Sequence, residues 1–378
     1  MSSITDTLTK HYEALFVCPF HQAVLASTVV TLSASMLLFR STKPPPKSIP
    51  SPRNLKPTKD TPYPPNLLPG SRFVSTPHGT ISVAEFGPAT GRKILLVHGI
   101  STPSVVFGSL ASALAADGYR VMTFDLFGRG YSDAPQDVEY DERLFSTQIL
   151  YALYSSPLSW ERFSLVGYSL GGGIAVAFAS HFAARLEALV LFAPAGILKA
   201  NKLGLLVKLA RGGWVPKAIE TWMLQRHLGV RTKAHATDIA SEDGLDYAKI
   251  MKWQATTHAG FPMAFQKSFR NGPLYDREEE WKTVAKQGIE RVGVMVGGKD
   301  DVIPPNLLPD MVALLGGANR VRGEVLPDAG HNLIRDRWRE CMDFVVDIVG
   351  YPDEDEDIDD SYDESMATSR SSYVVNDF

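Results

Sequence analysis

A chain of 378 residues, 44% of them hydrophobic, is long enough to bury a sizeable core as one domain with an insertion. Its net charge of −4 conceals two opposed ends: residues 352–378 hold ten acidic side chains against Arg370 alone, and residues 40–60 hold six Lys or Arg against Asp60. The nearly neutral body between them lacks the basic face that nucleic-acid binding needs, and two cysteines, Cys18 and Cys341, cannot form a disulfide framework.

In chain order, residues 1–22 form an N-terminal segment, and residues 14–39 carry no formal charge. The strongly apolar run 23–39 approaches the ~17–25 residues that span a bilayer, so a transmembrane helix is expected there. Arg40, Lys43, Lys47, Arg53, Lys56 and Lys59 follow it directly, which by the positive-inside rule leaves the body facing the cytosol. A cleaved signal peptide fits less well, because Asp6 and Glu13 precede the run and no small-residue cleavage site ends it. No Asn-x-Ser/Thr sequon occurs, in keeping with a body outside the glycosylating lumen. Residues 40–70 form a basic linker, with ten prolines between 44 and 69, and are expected to be an extended spacer.

From 71 to 196 short apolar runs alternate with helical patterns. RFVSTPHGTISVAEFG (72–87) reads as two strands joined at His78-Gly79. KILLVHG, a helix over 104–118, RVMTFDL, FSLVGYS, a helix over 170–182 and EALVLFAPAG follow. This rhythm predicts an α/β fold: a mostly parallel, doubly wound sheet with helices on both faces. Residues 197–285 lack a convincing strand and are expected to be a helical cap insertion. The alternation resumes over 286–351 with RVGVMVGG and RGEVLPDAGH. The acidic tail 352–378 has too little apolar content to pack and is expected to be disordered.

The densest apolar stretch, FSLVGYSLGGGIAVAFAS (163–180), contains Gly167-x-Ser169-x-Gly171 between a strand and a helix. A serine on so sharp a turn leaves no room for side chains two residues away, and glycine at both places removes the collision. Ser169 then lies at a helix N-terminus, where free N–H groups favour an oxyanion. A serine needs a base to become a nucleophile. His331, in LPDAGHNL past a late strand, is the expected base. Asp301, in VGGKDDVIPP past the preceding strand, is the expected acid that orients it, with the adjoining Asp300 as the alternative. Whichever aspartate does not take that role is a turn or capping residue. The expected oxyanion donors are the backbone N–H groups of Leu170 and of Ile100, in the loop after LLVHG. His98 is read as a brace for that loop and not as a proton carrier.

Over roughly residues 72–350 the chain resembles the α/β-hydrolase superfamily, in the stretches LLVHGIS, FDLFGRGYSDAP, VGYSLGGG, GGKDDVIPP and DAGHNL. It is similar in general look to membrane-tethered fungal-type members and to monoacylglycerol-lipase-like enzymes. The resemblance implies that Asp125, Gly128, Gly130 and Ser132 form a structural turn, and that the insertion 197–285 is a cap selecting substrates. A serine nucleophile argues against epoxide hydrolase and haloalkane dehalogenase chemistry. Leu170 after the serine departs from the tryptophan usual in proline iminopeptidases. Thioesterase, peptidase, carbon–carbon bond hydrolase and cofactor-free haloperoxidase chemistries, and a non-catalytic scaffold, remain as alternatives.

The expected function is therefore a membrane-anchored serine hydrolase that cleaves carboxylic esters, acyl lipids above all, through an acyl-enzyme. No Cys/His cluster has zinc spacing, so no metal or cofactor is expected. The expected partners are a small-molecule ester or acyl-lipid substrate and membrane lipid, with no nucleic acid. The Leu-rich run 202–230, with Trp214, Trp222 and Met223, and FPMAF (261–265) supply apolar bulk for cap packing or an acyl pocket. His258 and Cys341 read as ordinary packing or surface residues.

Overall fold

A computed structural model describes residues 47–202 and 244–352. The expected transmembrane helix, the segment before it, linker residues 40–46, cap residues 203–243 with Trp214, Trp222 and Met223, and the tail from 353 onward lie outside the described residues. No helix among the described residues is long and apolar enough to cross a membrane.

The described part opens with β1 (Ser48–Ile49), then the hairpin β2 (Arg72–Thr76) and β3 (Gly79–Phe86), in which Thr76 pairs with Gly79. The α/β alternation follows: β4 (Lys93–Val97), α1 (Gly108–Ala116), β5 (Arg120–Phe124), β6 (Ala134–Pro135), α2 (Glu142–Tyr154), β7 (Phe163–Tyr168), α3 (Leu170–Phe182) and β8 (Leu186–Phe192). After the insertion come α4 (Tyr247–Thr257), α5 (Phe261–Asn271), α6 (Glu278–Lys286), β9 (Arg291–Gly297), α7 (Leu308–Leu314), β10 (Val321–Leu326), α8 (Leu333–Asp336) and α9 (Trp338–Val349).

Among the described residues eight strands form one sheet in the order β10-β9-β8-β7-β4-β5-β3-β2. The six from β10 to β5 are parallel, and β3 and β2 run antiparallel at one edge. Parallel strands covered by helices on both faces have no solvent side, which is why their sequences are continuous apolar runs. All six residues of β7 are buried. Val97 pairs with Gly167, Gly167 with Leu191, and Leu191 with Val294, so the carboxyl ends of β4, β7, β8 and β9 line up along one rim. Ligands bind outside such a rim in open α/β sheets.

The basic, proline-rich segment is not a free spacer over its described part. Ser48–Ile49 pair with Ala134–Pro135, and Tyr63 and Leu68 are buried in the core. The Ser51 N–H donates to Asp133 Oδ1 at 2.7 Å, the Arg53 guanidinium pairs with the same carboxylate, and the Tyr131 hydroxyl donates to the Tyr63 carbonyl. Prolines rule out a helix but not an extended chain docked through its carbonyls and occasional apolar side chains. The insertion also ends earlier than the sequence suggests. Helix α6 packs against α3 with Trp281 fully buried, so it belongs to the helical layer of the sheet.

Candidate active site

Strand β7 ends at Tyr168 and α3 begins at Leu170, so Ser169 alone turns the chain. Its backbone sits at φ 55°, ψ −118°, a conformation costing a non-glycine residue about 1–3 kcal/mol. Backbone bonds hold it there: Ser169 N–H donates to Phe192 O at 3.0 Å, and Ser169 O accepts from Gly172 N at 2.9 Å and Ala195 N at 3.0 Å. The two flanking glycines are needed for close approach. A Cβ on Gly171 would lie 2.0 Å from the Val97 carbonyl oxygen, and one on Gly167 would lie 2.4 Å from the Gly171 carbonyl oxygen. Since main chain cannot give way as a flexible side chain does, Gly171→Ala is expected to destabilise the fold by about 1–3 kcal/mol or more. A lowered urea midpoint would register it.

His331 lies between β10 and α8, and its Nε2 is 3.0 Å from Ser169 Oγ. Its Nδ1 is 2.8 Å from Asp300 Oδ2. The aspartate facing the imidazole is therefore Asp300 and not Asp301, which is exposed at the turn. Asp300 has its carboxylate fully buried; Oδ1 accepts from the N–H groups of Val302 and Ile303 at 2.8 Å each, which leaves Oδ2 for the ring. With Nδ1–H donating to that oxygen, the lone pair of Nε2 faces the serine hydroxyl. Such a chain of three groups can remove the serine proton and stabilise the imidazolium that results.

Both expected oxyanion donors adjoin the serine. Leu170, first residue of α3, has no intrahelical acceptor for its N–H. Ile100 shares a cavity wall with Ser169, and a Cβ on the preceding Gly99 would lie 3.3 Å from Ser169 Cβ. His98 is wholly buried beneath this loop. Its Nε2 accepts from Leu126 N–H at 2.8 Å, so Nδ1–H donates to Gly99 O at 2.8 Å.

Burial holds the His98 pKa down, to about 3 against an ordinary 6.5, so the ring is a neutral brace. As pH falls, the unfolded chain takes up this proton first. The histidine's contribution to stability is thus complete above about pH 6.5 and drains away toward pH 3. His98→Gln is expected to lower the urea midpoint at pH 7.5 and to flatten its decline between pH 6.5 and 4.

Residues 93–337 match a family described as alpha/beta hydrolase fold. The chain belongs to that family. Lipases are among its relatives. It is 31% identical over 263 residues to Lipase 1 of Psychrobacter immobilis, covering 66% of this chain and 74% of that one. It is 35% identical over 150 residues to an uncharacterized protein of Mycobacterium tuberculosis, a match spanning 39% of this chain and only 40% of the relative's length. Among solved structures, an esterase from Rhodococcus sp. ECU1013 superposes with TM-score 0.58 at 20% identity, covering 75% of this chain and 99% of that one. A structure described as a bacterial membrane phospholipase A gives TM-score 0.58 at 18% identity, covering 92% and 98%. These two likenesses show the fold.

In this α/β-hydrolase, Ser169 and His331 open onto a cavity of about 310 Å³. Met251, Phe265, Phe269 and Leu274 give it an apolar side, and Arg335, stacked over the Tyr247 ring, stands at a polar one. Within FPMAF, Phe261 is buried in packing and Phe265 lines the cavity. His258 is a buried packing residue bonded to Ser132 O, and Cys341 is buried in the core. Asp125 accepts from Ser104 and Tyr131, which fits a structural turn.

Three residues of the site were not singled out from the sequence. Arg129, fully buried, donates to the carbonyls of Ile100 and Phe127 and to Ser268 Oγ on α5. Gln254 on α4 donates to Ser101 O and accepts from Gly130 N–H. The Tyr168 hydroxyl donates to the His331 carbonyl at 3.0 Å. The first two tie both described insertion helices to the loop carrying Ile100. A polar side chain buried within an apolar pattern was the available hint, but its partner could not be read from the chain.

Proposed function

We propose that this α/β-hydrolase is a serine carboxylic ester hydrolase acting on acyl lipids through an acyl-enzyme. The observation that carries the reading is the imidazole of His331, 3.0 Å from Ser169 Oγ on one side and 2.8 Å from Asp300 on the other, at the mouth of a partly apolar cavity. Ser169 Oγ attacks the ester carbonyl while His331 Nε2 takes its proton. The N–H groups of Ile100 and Leu170 receive the oxyanion. As the tetrahedral adduct collapses, the imidazolium gives the proton to the departing alkoxide, leaving the acyl group on Ser169. Water, activated by the same imidazole, then releases the acid.

The apolar side formed by Met251, Phe265, Phe269 and Leu274 suits an acyl chain. A lipase among the relatives, and a membrane phospholipase A among structures of the same fold, support a lipid ester as the substrate. The uncharged run 23–39 followed by clustered cations supports a single-pass anchor with the body in the cytosol. Purified full-length protein should hydrolyse p-nitrophenyl esters and diacylglycerol or monoacylglycerol emulsions. Folded protein that turns over no ester would overturn the reading. In sealed vesicles with the cytosolic face outward, cleavage of the acidic tail by protease would support a cytosolic body, and its protection would contradict one.

A further inference from the structure

A second, larger cavity lies on the other side of helix α4. About 680 Å³ in volume, it is an open cleft between α4 and the proline-rich segment 52–65. The helix divides the two cavities by its period: Tyr247, Ala248 and Met251 face the one that holds Ser169, while Lys249, Lys252, Trp253 and Thr256 face the second. Arg53 and Lys56 approach from the proline-rich wall, so four cations border the cleft against one acid, Asp60. Arg53 is occupied by Asp133, and the Lys249 ammonium donates to the Lys59 carbonyl at 3.1 Å. Lys56 and Lys252 are exposed, and neither makes an ion pair among the described residues. The floor is aromatic: Trp253 and Tyr131 are both buried and pack edgewise or tilted on Tyr63 and on each other. At the rim Leu55 is 59% exposed.

Unpaired lysines around a concavity, an aromatic floor and an exposed leucine at the lip suit a ligand that is anionic at one end and apolar beside it. Polybasic surfaces with apolar side chains among them meet anionic lipid in this way. We propose that the cleft binds the phosphate headgroup of an anionic phospholipid, with Lys56 and Lys252 taking the charge and Leu55 entering the acyl boundary. The proposal rests on the lipid-surface reading above for its choice of lipid over a soluble phosphate. The cleft is separate from the serine cavity, so its ligand is a docking lipid and not the ester that is cleaved.

The test is calorimetric titration of the full chain carrying Ser169→Ala, in neutral detergent, with short-chain dihexanoylphosphatidylglycerol. The zwitterionic dihexanoylphosphatidylcholine and inorganic phosphate are the comparison arms. The anionic lipid is expected to bind at least tenfold more tightly than either, and Lys56→Glu with Lys252→Glu should weaken it at least tenfold. Equal binding by inorganic phosphate would mark a free-anion site and overturn the lipid assignment. Unchanged affinity in the double variant would overturn the cleft. The same double substitution with Ser169 intact is expected to retain wild-type turnover of p-nitrophenyl butyrate. If the wild type turns over no ester, the hydrolase reading fails, while the titration still decides the cleft.

Discussion

Ser169→Ala is expected to abolish labelling by a fluorophosphonate and to lower kcat for a p-nitrophenyl ester by about 10⁴–10⁶-fold. The size follows from what the hydroxyl does in the proposed reaction. Without it no acyl-enzyme can form, and only water within a site that still binds the oxyanion remains to attack the carbonyl. The substitution should be mild for the fold, because the bonds that hold the turn are made by the Ser169 backbone to Phe192, Gly172 and Ala195. Alanine occupies φ 55° no more comfortably than serine does, so little of the backbone strain changes. Melting temperature should therefore stay close to wild type while activity collapses. A variant that keeps more than about a tenth of wild-type turnover would remove Ser169 from the reaction, since a nucleophile's loss costs orders of magnitude more.

The elements that place Ser169 were legible because each has a local cause. A fully buried strand reads as a continuous apolar run, and a turn with no room for side chains reads as glycines on both sides of a polar residue. The helix over 170–182 has the predicted bounds, Leu170–Phe182. What was not legible depends on long-range pairing. The ten prolines between 44 and 69 say that the chain is extended, but not that β1 finds Ala134–Pro135 or that Tyr63 finds a core position. Arg129 resembles a surface cation in sequence, yet it is buried because acceptors from two distant segments, at Ile100 and Ser268, converge on its guanidinium beside the nearby Phe127 carbonyl. The separation of cavities by α4 likewise needs its neighbours on both sides.

Asp300→Asn is expected to lower kcat by about 10⁴-fold, and Asp301→Asn to leave it within about threefold, as an exposed substitution should. The sequence offered two adjacent aspartates and two roles, acid and cap. One side chain fills both roles: Oδ1 of Asp300 caps the N–H groups of Val302 and Ile303, and Oδ2 faces His331 Nδ1. In Asp300→Asn the two N–H groups retain the amide oxygen, which turns the NH₂ group toward the imidazole. The ring must then accept at Nδ1, so its proton moves to Nε2 and points at the serine, where a base is needed. The cap survives, so the loss should appear in kcat with only a modest fall in melting temperature. Fluorophosphonate labelling should slow in parallel, because serine activation is the step affected. If Asp301→Asn instead lost activity by orders of magnitude while Asp300→Asn did not, the acid would lie one residue later and the turn would have to rearrange to deliver it.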